Sequence, residues 1–302
     1  MKINKLTLGP IVGETTPNRA RIWGRGQANV IEDQPRRCFG VIRHRPATKT
    51  AWSDPVVFKM NPNFDMTGVA VLDGLKSTTQ YVYQIGFFFS EGELTETTIN
   101  EPEWEDAHEA SFLTASDKAT QPRTLVIGSC RYLLKTFLGQ FFDDRGDKTF
   151  RSILRQIEKG QDVHQLIMMG DQIYADDLSA FNPDKTIEQF YERYRAVFGQ
   201  EYIRKLMSQT PTYMTLDDHE IEDNWPRKAD EKDWKTLFPH AIHAYQTYQL
   251  SHSPNIPVSG QRLVGTPKHL CVNTTRWLLR LYSVRAFETQ SRVLLMDTPG
   301  LN

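Results

Sequence analysis

Apolar positions fall in short runs over the first third of the chain and recur at helical spacing over the second. Ile11-Val12-Gly13, Ala20-Arg21-Ile22-Trp23-Gly24, Val56-Val57-Phe58, Val69-Ala70-Val71-Leu72 and Ile85-Gly86-Phe87-Phe88-Phe89 are separated by turn residues. Such spacing predicts an all-β sandwich over residues 1–115. The stretch from Leu75 to Tyr83 leads a tyrosine into a strand after a turn, as in the tyrosine corner of fibronectin-type sandwiches. Glu91 to Glu109 is acidic and turn-rich and reads as a loop before the strand Ala110–Thr114, and 116–123 reads as a linker.

The pattern changes over 124–302. Leu125-Val126-Ile127-Gly128 reads as a short strand. Phe150, Ile153, Leu154 and Ile157 follow at helical spacing, with Gly160 as the stop. Val163 to Met169 is a second strand. Asn182-Pro183 opens a helix carrying Ile187, Phe190, Tyr191, Tyr194 and Phe198, and Thr212 to Leu216 is a third strand. Strands alternating with helices predict a parallel sheet with helical cover. Ligands of open parallel sheets bind beyond the carboxyl ends of the strands. In this chain those ends deliver Ser129-Cys130-Arg131, Gly170-Asp171 and Asp217-Asp218-His219.

Composition adds limits. The chain has 302 residues, 36 Lys+Arg against 37 Asp+Glu and a net charge of −1, so neither nucleic acid nor an anionic membrane surface is expected as a partner. No run approaches the roughly 20 apolar residues of a membrane span. Met1 to Pro10 lacks a continuous apolar stretch, and the three cysteines Cys38, Cys130 and Cys271 are too scattered for a disulfide framework. Both features predict a cytoplasmic protein with reduced thiols.

The strand-end residues suit hard cations. A carboxylate such as Asp171 can bridge two ions about 3.5–4 Å apart, and a phenol three residues on, Tyr174, is a natural ligand of ferric iron. His219 is placed to protonate a leaving group, and Arg131 to hold a phosphate oxygen. Each residue alone has a plainer reading. A cysteine after a strand is commonly a small core residue, aspartates form turns, and acidic residues favour the first turn of a helix. Their joint occurrence after successive strands favours a site. His240 and His243 lie three apart on a predicted helix with no third ligand at fixed spacing, and read as a helix face.

With these motifs the chain resembles the PhoD-like alkaline phosphatases of the calcineurin-like metallophosphoesterase superfamily. The matching pieces are Gly9 to Thr16 with Ala20 to Trp23, then Gly128-Ser129-Cys130, Gly170-Asp171-Gln172-Ile173-Tyr174 and Asp217-Asp218-His219-Glu220. The resemblance implies an α/β metallophosphoesterase-like sandwich preceded by an all-β fibronectin/Ig-like domain, and hydrolysis of phosphate mono- and diesters. It implies Fe3+ on Cys130, Asp171 and Tyr174. It further implies Ca2+ on Asp171 together with either Asp218 or Asn224, and His219 assisting the phosphoryl group. The family's later Gly-Asp-x-His element has no counterpart downstream of His219. The resemblance therefore implies a partial catalytic domain carrying the first half of the site: a fragment, a frameshifted product, or half of an assembly completed by a complementing C-terminal polypeptide. The alternative is a catalytically inactive fragment or interaction protein that lacks those ligands.

Overall fold

The computed structural model describes residues 1–31, 34–90, 102–118, 120–133, 145–177, 183–254 and 292–295. Two compact units form: Met1–Asp117 with Phe198–Thr212, and Lys118–Val197 with Tyr213–Asn302.

The first unit is built from antiparallel strands. β1 (Leu8–Thr15), β2 (Arg19–Arg25) and β6 (Thr67–Asp73) form a three-stranded sheet in the order β1-β2-β6. β3 (Asn29–Ile31), β4 (Gln34–Pro46), β7 (Gln80–Ser90) and β8 (His108–Leu113) form the other, with β5 (Val56–Lys59) added to β4. Period-2 alternation shows in β6, where Ala70 and Leu72 are buried and Val71 between them is exposed. Val12, Ile22, Ala70 and Leu72 of the first sheet share one core with Cys38, Ile42, Tyr83, Ile85 and Phe112 of the second. A core shared by two facing sheets is a sandwich. Phe39, Val41 and Phe88 form a smaller cluster with Ile3, which is why β7 stays apolar on consecutive residues near its end.

The tyrosine expected at the β7 entry is Tyr81, whose hydroxyl accepts the backbone N–H of Lys76 at 3.0 Å. α3 (Glu201–Met207) also belongs to this unit. The Tyr83 hydroxyl donates to the Ser208 carbonyl just past its end, at 2.6 Å.

β4 was not legible as a strand, although it is the longest and pairs with both β5 and β7. Its outer positions are cationic, and they are accommodated by stacking. The Arg43 guanidinium lies 4.6 Å from the Trp52 ring centroid and 4.3 Å from that of Trp104, and Arg45 lies 4.8 Å from Trp52. The strand predicted from Ala110 begins at His108, while 91–101 of the predicted loop lie outside the described residues.

The second unit carries a four-stranded sheet. β9 (Thr124–Gly128), β10 (Gln165–Met169), β11 (Thr212–Thr215) and β12 (Arg292–Leu295) take the order β11-β10-β9-β12, with β10 and β12 both parallel to β9. Between the strands run α1 (Arg145–Glu158), which buries Phe150, Ile153 and Leu154, and α2 (Ile187–Phe198), which buries Phe190, Tyr194 and Val197. Both helices match the predicted apolar spacing, and Gly160 takes φ +83° after α1. Residue 182, the predicted helix opening, lies outside the described residues. Beyond β11 come a 3-10 turn at Asp218–Glu220, α4 (Glu231–Thr236), α5 (Phe238–Tyr245) with His240 and His243, and a π-helical turn at Gln246–Leu250. Among the described residues no helix is long and apolar enough to cross a membrane.

Candidate metal centre at the strand ends

Because β9 and β10 are parallel, the loops that follow them leave the sheet side by side. Their backbones stay joined: the Cys130 N–H donates to the Gly170 carbonyl at 3.3 Å and the Arg131 N–H to the Asp171 carbonyl at 2.8 Å. This brings the Cys130 thiol to the Asp171 carboxylate, with Sγ donating to Oδ2 at 3.3 Å. The Tyr174 phenol lies near enough to Asp171 and Cys130 for their charges to act on it. The loops reach this arrangement through left-handed backbone at Cys130 (φ +58°), Gly170 (φ +86°) and Asp171 (φ +52°). Residues held in that region cluster at functional sites.

The loop after β11 supplies the remaining groups. Asp217 caps the 3-10 turn by accepting the Asp218 N–H at 3.0 Å. One potential ligand atom each from Asp171, Asp218 and His219 lies within 4.8 Å of the others. The Nδ1 of His219 sits 3.0 and 2.9 Å from the two oxygens of Asp176, and one of these oxygens also accepts the Asp223 N–H at 3.1 Å. The His219 ring packs on Tyr174 with centroids 4.3 Å apart, and Tyr174 meets Tyr132 edge-on at 5.3 Å.

Beneath these groups lies Glu220, fully buried. Its Oε2 accepts the N–H of Asp171 at 3.1 Å and of Asp217 at 2.8 Å. Its Oε1 accepts the N–H of Gln172 at 2.6 Å and the Gln249 amide at 3.1 Å.

The electrostatics follow from crowding acids in a partly dry place. Burial raises the Asp171 carboxyl, and the Cys130 hydrogen bond only partly opposes it. Burial likewise raises the Cys130 thiol and the Tyr174 phenol, the latter further because of Asp171 and Cys130. Burial pushes Glu220 up to about 7 against the hydrogen bonds of Asp217 and Gln172. For His219, burial acts downward. The hydrogen bond and charge of Asp176, with the charges of Asp171 and Asp218, outweigh it and hold the imidazole up at about 9.

These residues fit a cation. The second oxygen of Asp171, Oδ1, is buried and meets no hydrogen-bond donor among the described residues, although the pairing of buried polar atoms is the rule. The Asp171 and Asp218 carboxylates with the His219 imidazole, and the Cys130 thiol on Asp171 Oδ2, are a donor set for hard or borderline ions.

Of the residues singled out in the sequence, Cys130, Asp171, Tyr174, Asp218 and His219 converge. Asn224, at φ +60°, lies at the exposed margin. Its backbone N–H donates to Asp218 Oδ2 at 2.6 Å and its side-chain amide to Asp223 Oδ1 at 2.6 Å. Arg131 is a correction: it is no phosphate clamp. Its guanidinium is buried, donates to the Val197 carbonyl in the last turn of α2 at 2.8 Å, faces Asp147 at 3.8 Å and lies over the Phe150 ring at 5.4 Å. A cation belongs at a helix C-terminus, and Nη1 is used there, while the buried Nε meets no acceptor among the described residues. Sequence reasoning gave no role to Asp176 or Glu220. Their partners lie 29 or more residues away, apart from the Asp217 N–H that a capping box accounts for.

A sequence profile of the PhoD-like phosphatases matches residues 134–267. Among solved structures, that of PhoD is similar at 15% identity and a TM-score of 0.60, covering 84% of this chain and 48% of that one. A purple acid phosphatase isolated from yellow lupin (Lupinus luteus) seeds is similar at 14% identity and a TM-score of 0.49, covering 83% and 41%. The chain thus spans about half the length of the PhoD structure it matches. No curated protein matches its sequence.

Proposed function

We propose that this chain, which belongs to the PhoD-like phosphatase family, hydrolyses phosphate mono- and diesters at the strand-end cluster. The observation that carries the reading is the clustering of Asp171, Asp218 and His219, with Cys130 on Asp171 Oδ2 and the buried Oδ1 of the same carboxylate left without a donor among the described residues. Cys130, Asp171 and Tyr174 would hold Fe3+, and Asp171 with Asp218 would hold Ca2+. Asn224 is the alternative to Asp218 for the calcium: its Nδ2 donates to Asp223, and its amide oxygen is the atom that would meet the ion. Such ions supply Lewis acidity, which polarises phosphoryl oxygens and makes water nucleophilic near neutral pH.

The chain's own residues do the rest. Asp176, bound to Nδ1, fixes the His219 ring and leaves Nε2 to give a proton to the departing ester oxygen as the phosphorus–oxygen bond breaks. Tyr174, packed at a tilt of 33° against that ring, limits its rotation. The N-terminal sandwich fits a fibronectin-type domain, a reading supported by the Tyr81–Lys76 hydrogen bond.

The test is turnover of p-nitrophenyl phosphate and of its bis-ester by the purified chain with iron and calcium added. Asp171→Asn and Tyr174→Phe are each expected to lower turnover by about 100-fold or more. Activity that survives both substitutions unchanged would remove the assignment.

A further inference from the structure

We infer that Glu220 is a positioning residue that clamps the loop after β10 to the loop after β11 and thereby sets the affinity of the cluster for metal. The inference rests on the metal-site reading above and adds to it a residue outside the ligand set.

A Glu three residues after an N-cap has an ordinary explanation, the capping box, in which it accepts the N–H of the cap residue. That explains the bond from Asp217 and nothing more. The other three donors come from elsewhere in the chain. The N–H groups of Asp171 and Gln172 belong to the loop after β10, and the Gln249 amide belongs to the π-helical turn. One carboxylate thus holds two successive N–H groups of one ligand-bearing loop with one oxygen each, while an oxygen shared with Asp217 joins the second loop. Asp171 needs such a restraint, because its left-handed φ is one that a free loop would abandon. Each oxygen of Glu220 has two protein donors, so the residue acts through Asp171 and not as a ligand.

Glu220→Gln keeps the shape but turns an NH2 toward one of the two donor pairs, which opens one side of the clamp. Gln249→Met removes one donor at the rim of the network without touching either loop. The full chain and both variants are titrated with ferric iron alone, supplied as a weak chelate. Bound metal is measured by equilibrium dialysis, and ligation by Tyr174 through the visible tyrosinate-to-iron absorption. Melting is recorded without metal so that binding is compared where all three proteins are folded. Glu220→Gln is expected to weaken iron binding about 10–100-fold, and Gln249→Met by less than tenfold but measurably.

A folded Glu220→Gln protein that binds iron like the parent overturns the inference, and marks Glu220 as a cap and core residue only. Should Glu220→Gln not fold, parental affinity in Gln249→Met overturns it, and weakened affinity there supports it. A parent chain that binds no iron and shows no absorption band defeats the metal-site reading itself, and this inference with it.

Discussion

A Cβ added to Gly170 would lie 2.3 Å from the Cβ of Asp217, closer than any two such atoms pack. The end of β10 and the cap of the 3-10 turn thus touch through a missing side chain, at a residue whose φ of +86° also suits glycine. Gly170→Ala is expected to destabilise the protein by about 1–3 kcal/mol from backbone strain alone, with the clash in addition. Because the displaced Asp217 belongs to the loop that carries Asp218, metal binding falls too. Urea denaturation read beside iron titration checks both effects, and a parental midpoint would show that the contact yields easily.

Asp177 and Asp184 meet α2 in a buried ion cluster. Arg193 of α2 pairs with Asp184 through two hydrogen bonds and faces Asp177 at 3.7 Å, and all three side chains are buried. Removing the cation leaves two carboxylates in a place where an unpaired charge is very costly. Arg193→Met is expected to lower stability by about 3–5 kcal/mol. The triple change with Asp177→Asn and Asp184→Asn should recover part of that loss. Chemical denaturation of the two proteins decides the matter, and equal midpoints would show that charge burial is not the cause.

Legibility differed from residue to residue. Asp171 and Tyr174 could be found because an apolar strand announces where a parallel sheet opens, and the chemistry sits just beyond. Glu220 and Asp176 could not, because their importance lies in which distant N–H or imidazole they meet, and spacing along the chain does not carry that information. Arg131 misled by position. It follows Cys130, but the left-handed turn at Cys130 is followed by a side chain buried against Val197 and Phe150. β4 was lost for a related reason. Arg43 and Arg45 look like loop residues until Trp52 and Trp104 are placed beside them.

The Asp176–His219 pair separates orientation from binding. Asp176→Asn keeps the size of the side chain but loses the charge that holds the imidazole protonated and in place. Under the proposed hydrolysis, kcat for p-nitrophenyl phosphate is expected to fall about 10–100-fold with little change in KM. Iron binding by Cys130, Asp171 and Tyr174 should persist. A variant with parental kcat would exclude His219 from the proton transfer.

His108 gives the first unit an acid-sensitive element far along the sequence from the cluster. It opens β8, and burial, with the charges of Lys5 and Arg204 beside it, lowers its imidazole to about 4. In the unfolded chain the same group titrates near its ordinary value of 6.5. Between about pH 6.5 and 4 the unfolded state therefore binds a proton that the folded state refuses, and stability must fall as the pH falls through that window. Above it the ring is neutral in both states and contributes no pH dependence. His108→Gln removes the titration while keeping a polar side chain. The difference in denaturation midpoint between parent and variant should therefore shift in favour of the variant from pH 7 to pH 4.5, and stay flat between pH 7 and 8. A constant difference across the acid range would mean that His108 is protonated in the folded protein, and that the nearby cations do not act on it as their positions require.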